Sequence, residues 1–339
     1  MKKIIFILTL SVLTVGVSAQ TTGENEQTVK LKYNAEGKFK IVQFTDIHYN
    51  IASENSPVKI ETLNRVIEAE KPDIVVFTGD IITCRPQQQG WEEVLGTVVK
   101  RNIPYVVTMG NHDQEHDWTR EQIAEYLEKQ PGSLFLRGPK NIKGVGNFVA
   151  ELEGDNGKTA NLIYFMDSNA YGLVGENMGW DWFAFNQVDW YRATSRRFTE
   201  KNEGKPLPAL AFFHIPLQEY RALFDTVNIN YFKLLKPMPV YGERGERECF
   251  GIINTGMFAA MVEAGDVMGT FVGHDHFNNY IGCLDGICLA YGLCSGEKGL
   301  RGGGRVIELS ENSRGFDTWI RRGDGEVAFK VNYPESFKR

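Results

Sequence analysis

What this chain of 339 residues lacks narrows its class before any motif is read. It has no basic excess: 43 acidic side chains outweigh 37 basic ones, for a formal net charge of -6. A surface so balanced does not attract polyanions, so a nucleic-acid polymer is not an expected partner. It has no apolar run long enough for an ordinary membrane span, which takes roughly 20 residues. Ile4–Val17 comes nearest and falls short, and no cysteine lies in or just after it to carry a lipoprotein anchor. No internal repeat or linker marks a second domain, so one compact domain is the economical expectation. Cysteine is sparse as well: Cys84, Cys249, Cys283, Cys288 and Cys294, an odd count that leaves at least one thiol free.

The short apolar run has its own meaning. Lys2 and Lys3 precede it and Val17-Ser18-Ala19 closes it with small residues, the pattern of a secretory signal peptide over residues 1–19. Cleavage after Ala19 would start the mature chain at Gln20, in a periplasm or outside the cell. Such a compartment permits disulfides. Ile281 to Leu289 reads as a hairpin around Asp285-Gly286, a strong two-residue turn signal. That register sets Cys283 opposite Cys288 at a non-hydrogen-bonded pair, where side chains approach closely, so a cross-strand disulfide is expected.

After a polar leader (20–37) the chain alternates as α/β proteins do. Phe39–Phe44, Asp73–Thr78 and Tyr105–Met109 read as strands, and Val58–Glu70, Trp91–Lys100 and Arg120–Lys129 as the helices between them. Unbroken apolar strands such as Ile74-Val75-Val76-Phe77 imply a sheet covered on both faces. Further on, Phe148–Leu152, Leu162–Met166, Ala209–Phe213 and Val267–Val272 read as strands, with helices over Gln187–Phe198 and Thr255–Ala264. Ala170–Phe185, rich in glycine and aromatics, reads as a loop, and Glu243–Glu248 as a solvated charged one. Hairpins close the chain near Val331, and the domain is expected over 38–335.

Histidine is also scarce, with six in all, and five of them fall in polar clusters just past apolar strands. The clusters are Asp46-Ile47-His48, Gly79-Asp80, Gly110-Asn111-His112-Asp113, His214 after Phe212-Phe213, and Gly273-His274-Asp275-His276. Ligand sites of open α/β sheets form beyond the carboxyl ends of strands, so these clusters are expected to converge. Asp46 and His48, like His274 and His276, stand two apart and share one side of an extended backbone. The glycines allow sharp turns and close backbone approach. A lone Asp-x-His or Gly-Asp after a strand is an ordinary turn or cap, Gly-Asn-His-Asp is less ordinary and Gly-His-Asp-His the strongest single piece, and all of them at strand ends are not the work of turns. Carboxylate, imidazole and amide oxygen form a mixed donor set suited to Mn, Zn or Fe, whereas calcium prefers oxygen alone. The ligands exceed what one ion needs, and a bridged pair is the arrangement that clamps attacking and leaving oxygens in phosphate displacement.

In this order the clusters resemble the calcineurin-like metallophosphoesterase superfamily, from about Lys38 to Arg305. Phe212–Tyr220 and Met261–Asp266 resemble its purple acid phosphatase-like branch, which includes the Dcr2-type phosphatases. The resemblance implies a four-layer α/β/β/α sandwich of two mixed sheets with a binuclear metal site at the strand ends. It implies one ion on Asp46, His48, Asp80 and His276, a second on Asp80, Asn111, His214 and His274, and Asp80 as the bridge. A metal-bridging hydroxide would attack the phosphate ester, while His112 stabilises the transition state or protonates the leaving oxygen and Asp113 orients its ring. The sequence departs from true purple acid phosphatases at Thr83, where those enzymes place a tyrosine ligand, and at His48, so a colourless or weakly coloured enzyme is expected.

The implied reaction is hydrolysis of a small phosphomonoester. A diesterase on a nucleotide or lipid head group shares the same core, and a metal-binding envelope protein with lapsed catalysis is the non-enzyme alternative. Weaker candidates are His116 as a substrate contact, Arg85 as a phosphate contact, and Asn169, Tyr171, Trp180 and Trp182 as pocket walls. Each of these has a blander reading as a surface or packing residue.

Overall fold

The computed structural model describes residues 20–22, 26–224, 239–297 and 299–338; the expected signal peptide over 1–19 lies outside them. The first sheet has six strands in the order β17 (Val327–Tyr333), β16 (Phe316–Arg322), β15 (Gly303–Ser310), β3 (Lys38–Phe44), β4 (Ile74–Thr78) and β5 (Tyr105–Thr108). Strands β3, β4 and β5 run parallel, and the other neighbours antiparallel. The second sheet has nine strands. It begins with β1 (Gln20–Thr22), β2 (Glu26–Lys32), β6 (Phe148–Glu153) and β7 (Thr159–Phe165). It continues through β10 (Ala209–Phe212), β12 (Val267–Val272), β14 (Ile287–Tyr291), β13 (Ile281–Leu284) and β11 (Val240–Tyr241). Both sheets are mixed, and β7, β10, β12 and β14 are mutually parallel.

Residue alternation shows how the layers stack. Ile163, Phe165, Leu210 and Phe212 join the core shared with the six-stranded sheet, and Leu162, Tyr164, Ala209 and Ala211 join a second core on the opposite face. The rings of Phe271 on β12 and Phe316 on β16, with centroids 5.7 Å apart, bridge the two sheets. Helices α1 (Ser56–Glu70), α2 (Gln87–Val99) and α3 (Arg120–Leu127) bring Leu63, Val66, Trp91, Val98 and Ile123 to the first core. Helices α4 (Phe185–Lys201) and α6 (Met257–Ala264) bring Tyr191, Phe198, Met257 and Met261 to the second. The result is the expected α/β/β/α sandwich. A one-turn helix, α5 (Glu219–Ala222), follows the His214 loop.

Local chemistry sets several boundaries. α3 starts on a capping box, in which the Thr119 hydroxyl accepts from the Gln122 backbone and Gln122 Oε1 accepts from the Thr119 backbone. α6 ends on Gly265 in the left-handed region. Asp285 and Gly286 both take positive φ between β13 and β14, and Cys283 pairs with Cys288 in a disulfide. Cys84, Cys249 and Cys294 are free thiols.

Three segments differ from the reading of the sequence. Residues 20–37 are more than a leader: β2 pairs in parallel with β6, turning Val29 and Leu31 into the core. Ala170–Phe185 is not all loop, because β8 (Tyr171–Val174) and β9 (Asn177–Trp180) form a hairpin of their own. Within Glu243–Glu248 the last residue is buried, held by Arg244 at 2.7 Å and by the Tyr280 hydroxyl at 2.9 Å. Among the described residues, no helix is long and apolar enough to cross a membrane.

Candidate metal centre

The polar loops after β3, β4, β5, β10 and β12 meet at one edge of the sandwich. Two donor groups form there and share a residue: Asp46, His48, Asp80 and His276 in one, Asp80, His214 and His274 in the other. Asp80 Oδ2 lies 3.2 Å from His214 Nε2, 3.9 Å from His48 Nε2 and 4.0 Å from His112 Nε2. Asp46 Oδ1 lies 3.6 Å from His276 Nε2 and 4.0 Å from His48 Nε2. Asn111 Oδ1 stands 3.2 Å from His214 Nε2, which places the amide beside the second group.

Asp46, His48, Asp80 and His274 all adopt left-handed φ, between 46° and 78°. Conformations this uncommon for side-chain-bearing residues persist where the surroundings over-determine them, as at ligand clamps. The motif glycines make the crowding possible. A Cβ on Gly110 would sit 2.1 Å from Asp80 Oδ1, and one on Gly273 would sit 1.8 Å from Thr45 Oγ1.

Supporting residues hold these loops, and the sequence reading passed over most of them. Lys59 on α1 donates to the His48 carbonyl at 2.7 Å, and Arg120 on α3 donates to the Gly110 carbonyl at 2.8 Å while pairing with Asp167 at 2.6 Å. The Thr45 hydroxyl donates to Asp46 Oδ2 at 2.8 Å. Asp113 behaves differently from expectation. Its buried carboxylate accepts backbone N–H groups of Asp80, Ile81, Ile82 and Gly110 at 2.8–3.2 Å, so it ties the second cluster to the third. The group against His112 Nδ1 is Glu115 Oε2, at 2.6 Å. Successive residues of a turn point different ways, so the neighbour in sequence is not the neighbour of the ring.

The electrostatics of the site suit cation binding. Burial, reinforced by the other imidazoles and opposed by Asp80, pushes His48 down to about 3; burial and His214 drive His274 well below its usual value. Those two rings therefore offer lone pairs rather than charge. Burial works against charge on His214 also, but Asp80 and Asp46 raise it to about 9. Asp80 is buried, yet His214, His48 and His112 hold its carboxyl well below the usual range. Burial is likewise opposed at His112, where Asp80 and Glu115 keep the ring above its ordinary value.

The donor set fits metal ions on direct observation. His274 Nε2 is buried and has no hydrogen-bond partner, a costly state for a polar atom unless something binds it. His48 Nε2 and His276 Nε2 face each other at 3.0 Å. His214 Nδ1 lies 2.7 Å from the Thr78 carbonyl and donates to it, which turns Nε2 toward Asp80 and Asn111. Fixing one ring nitrogen through the backbone is how ligating histidines are oriented.

The other candidates separate cleanly. Tyr171 and Trp180 reach the site: the Tyr171 hydroxyl lies 3.3 Å from Asn111 Nδ2, and the Trp180 ring stands edge-on to His274 at 4.4 Å. Asn169 braces the base of the hairpin, donating to Trp182 and Gln187, and Trp182 packs beneath Lys143. Arg85 donates to the His116 carbonyl at 3.3 Å, so these two residues engage each other. Thr83 is tied through its backbone to Tyr49 and Asn50.

Two donor groups joined through one carboxylate, at the ends of two facing sheets, place the molecule among the binuclear metallohydrolases. The chain belongs to the calcineurin-like phosphoesterase family, whose model matches residues 39–278. It is 33% identical to "Probable inactive purple acid phosphatase 14" of Arabidopsis thaliana, over 88% of this chain and 79% of that one. It is 32% identical to phosphatase DCR2 of Saccharomyces cerevisiae, over 86% of this chain and 55% of that protein. A solved dimetal phosphatase from Danio rerio shares the fold, at TM-score 0.58 and 12% identity over 87% of this chain and 98% of the other. The protein is accordingly a metal-dependent phosphoric ester hydrolase built around a divalent metal pair.

Proposed function

We propose that the chain removes phosphate from small phosphomonoesters after export across a membrane. The carrying observation is the sharing of Asp80 between two donor groups with His112 Nε2 only 4.0 Å from its Oδ2. One ion would be held by Asp46, His48, Asp80 and His276, and the other by Asp80, Asn111, His214 and His274. Mixed nitrogen and oxygen donors favour Mn, Zn or Fe. When bound, such a pair activates water and neutralises charge on the phosphate. His112, outside both donor groups and above its ordinary pKa, is placed to protonate the leaving oxygen as the P–O bond breaks.

Beside Asp46, His48 and His276 opens a cleft of about 980 Å³, also lined by Asn279, Arg301 and Arg322. That volume exceeds what inorganic phosphate needs, so a sizeable leaving group fits. The choice of monoester is supported by the phosphatase names of the relatives. The volume of the cleft keeps a diester as the second reading, since a second esterified group has room. The word "inactive" in the Arabidopsis thaliana name motivates a rival in which metal binds without turnover. His112 and its Glu115 partner speak for catalysis, because neither is needed to hold a metal.

Hydrolysis of a chromogenic monoester and its matching diester by the purified protein, with chelation and Mn, Zn or Fe restored, tests this reading. Metal-dependent turnover that favours the monoester is expected. Preference for the diester would select the second reading, and bound metal without turnover the rival. The export signal rests on the pattern over residues 1–19, and the expected mature N-terminus is Gln20. Recovery of unprocessed protein from the cytoplasm would defeat it.

A further inference from the structure

We propose that Glu115 and Tyr171 are positioning residues that hold the His112 imidazole for proton delivery to the leaving oxygen, an inference that rests on the reading of His112 given above. Glu115 lies outside the donor groups and touches the ring directly. Its Oε2 is 2.6 Å from His112 Nδ1, so the Nδ1 proton is taken up in that bond and Nε2 is turned toward Asp80. A turn keeps the two together, with the Glu115 backbone N–H donating to the His112 carbonyl at 3.1 Å.

The second carboxylate oxygen is held from the other side. Glu115 Oε1 accepts the Tyr171 hydroxyl proton, and that hydroxyl also stands 3.3 Å from Asn111 Nδ2. Tyr171 is itself fixed. It pairs across the hairpin with Trp180, their rings stacked at 5.4 Å, and Trp180 abuts His274 while its carbonyl accepts from Ile252 at 3.1 Å. At the hairpin base Asn169 is buried at φ 65° and hydrogen-bonded to Gln187, and its carbonyl accepts from Arg120. The hairpin thus reaches from a braced base to the carboxylate that aims the acid.

A purely structural role explains this less well. The His112 and Glu115 side chains are each 36% exposed and Tyr171 is 38% exposed. Pairs this open to solvent add little to stability. Orientation is what they supply. In the step concerned, a water oxygen bonds to phosphorus, the P–O bond to the alcohol breaks, and its electron pair goes to the leaving oxygen. That oxygen takes the Nε2 proton of His112, and the ring is reprotonated from solvent after release. The need for the proton grows as the leaving alcohol becomes less acidic, so a misaimed acid penalises alkyl esters and spares nitrophenyl esters.

The experiment measures kcat for the full chain and for Glu115→Gln, Tyr171→Phe and His112→Ala on p-nitrophenyl phosphate and on an alkyl phosphate. Metal content and melting temperature are measured beside them. Glu115→Gln is expected to lower kcat on the alkyl ester by about 10- to 100-fold, the range for groups that orient a functional histidine. Its nitrophenyl kcat and metal content should stay near those of the parent. Tyr171→Phe should show the same bias more weakly. Equal loss on both esters, no loss on either, or loss of metal in Glu115→Gln and Tyr171→Phe would overturn the inference while His112→Ala still showed the bias. If His112→Ala itself lacked the bias, the reading of His112 would fall, and the inference with it.

Discussion

Strand β12 has a buried carboxylate cluster at each end, and the two clusters are closed in different ways. At its start, Asp266 accepts the hydroxyl protons of Tyr164 at 2.8 Å and Tyr191 at 2.5 Å, and the Val267 backbone N–H at 2.8 Å. Donors from the chain itself satisfy that carboxylate. At its far end, His274 has a buried nitrogen with no partner, His276 faces the His48 nitrogen, and the carboxylates of Asp46 and Asp80 lie 3.6 Å from His276 and 3.9 Å from His48. The same sheet therefore carries one polar cluster that is complete and one that is completed only by cations. Buried polar groups are nearly always satisfied, so the incomplete cluster is the functional one.

The sharpest way to break this contrast is to neutralise one carboxylate at each end. Asp80→Asn should abolish turnover and collapse metal content, because both donor groups lose their common member. Elemental analysis of the purified variant checks it, and retention of both ions would remove the bridge. His112→Ala comes next, with kcat on an alkyl phosphate lowered by about 10²–10⁴-fold at unchanged metal content. Loss of metal in that variant would make His112 a ligand instead of an acid.

Chelation should act on stability at one end only. Removing an ion present at 100 times its dissociation constant costs about 2.7 kcal/mol per site, so the melting temperature of the parent should fall and that of Asp80→Asn should not. The smallest effect belongs to the closed cluster. Asp266→Asn should cost roughly 1–3 kcal/mol in denaturant unfolding by leaving a tyrosine hydroxyl poorly paired. Its kcat and metal content should match the parent, and a large fall in either would show that the two ends are coupled.

Much of the metal centre was legible because each donor follows an unbroken apolar strand, and strand ends are where α/β sheets gather side chains. The sheets themselves were readable from runs such as Ile74–Phe77, buried on both faces. What escaped depended on contacts distant in sequence or on weak local pattern. The β8–β9 hairpin carries Gly172, Gly175 and Gly179, which dilute the alternation that marks a strand, and its tip is exposed at Leu173 and Met178. β2 hides a short alternation, Val29-Lys30-Leu31-Lys32, inside a polar stretch. Asp113 was assigned to the ring beside it, but its carboxylate serves the backbone of the Asp80 loop, and the turn brings Glu115 to His112 instead. Only a three-residue spacing, His112 to Glu115, hinted at that pairing.

The most direct test of the binuclear assignment is a titration of metal-free protein with Mn or Zn, following turnover of a phosphate monoester against equivalents of ion added. A centre bridged by Asp80 predicts negligible activity without metal and a rise that saturates at two ions per chain. Full activity after complete chelation, or saturation at a single equivalent with the second donor group empty, would contradict it.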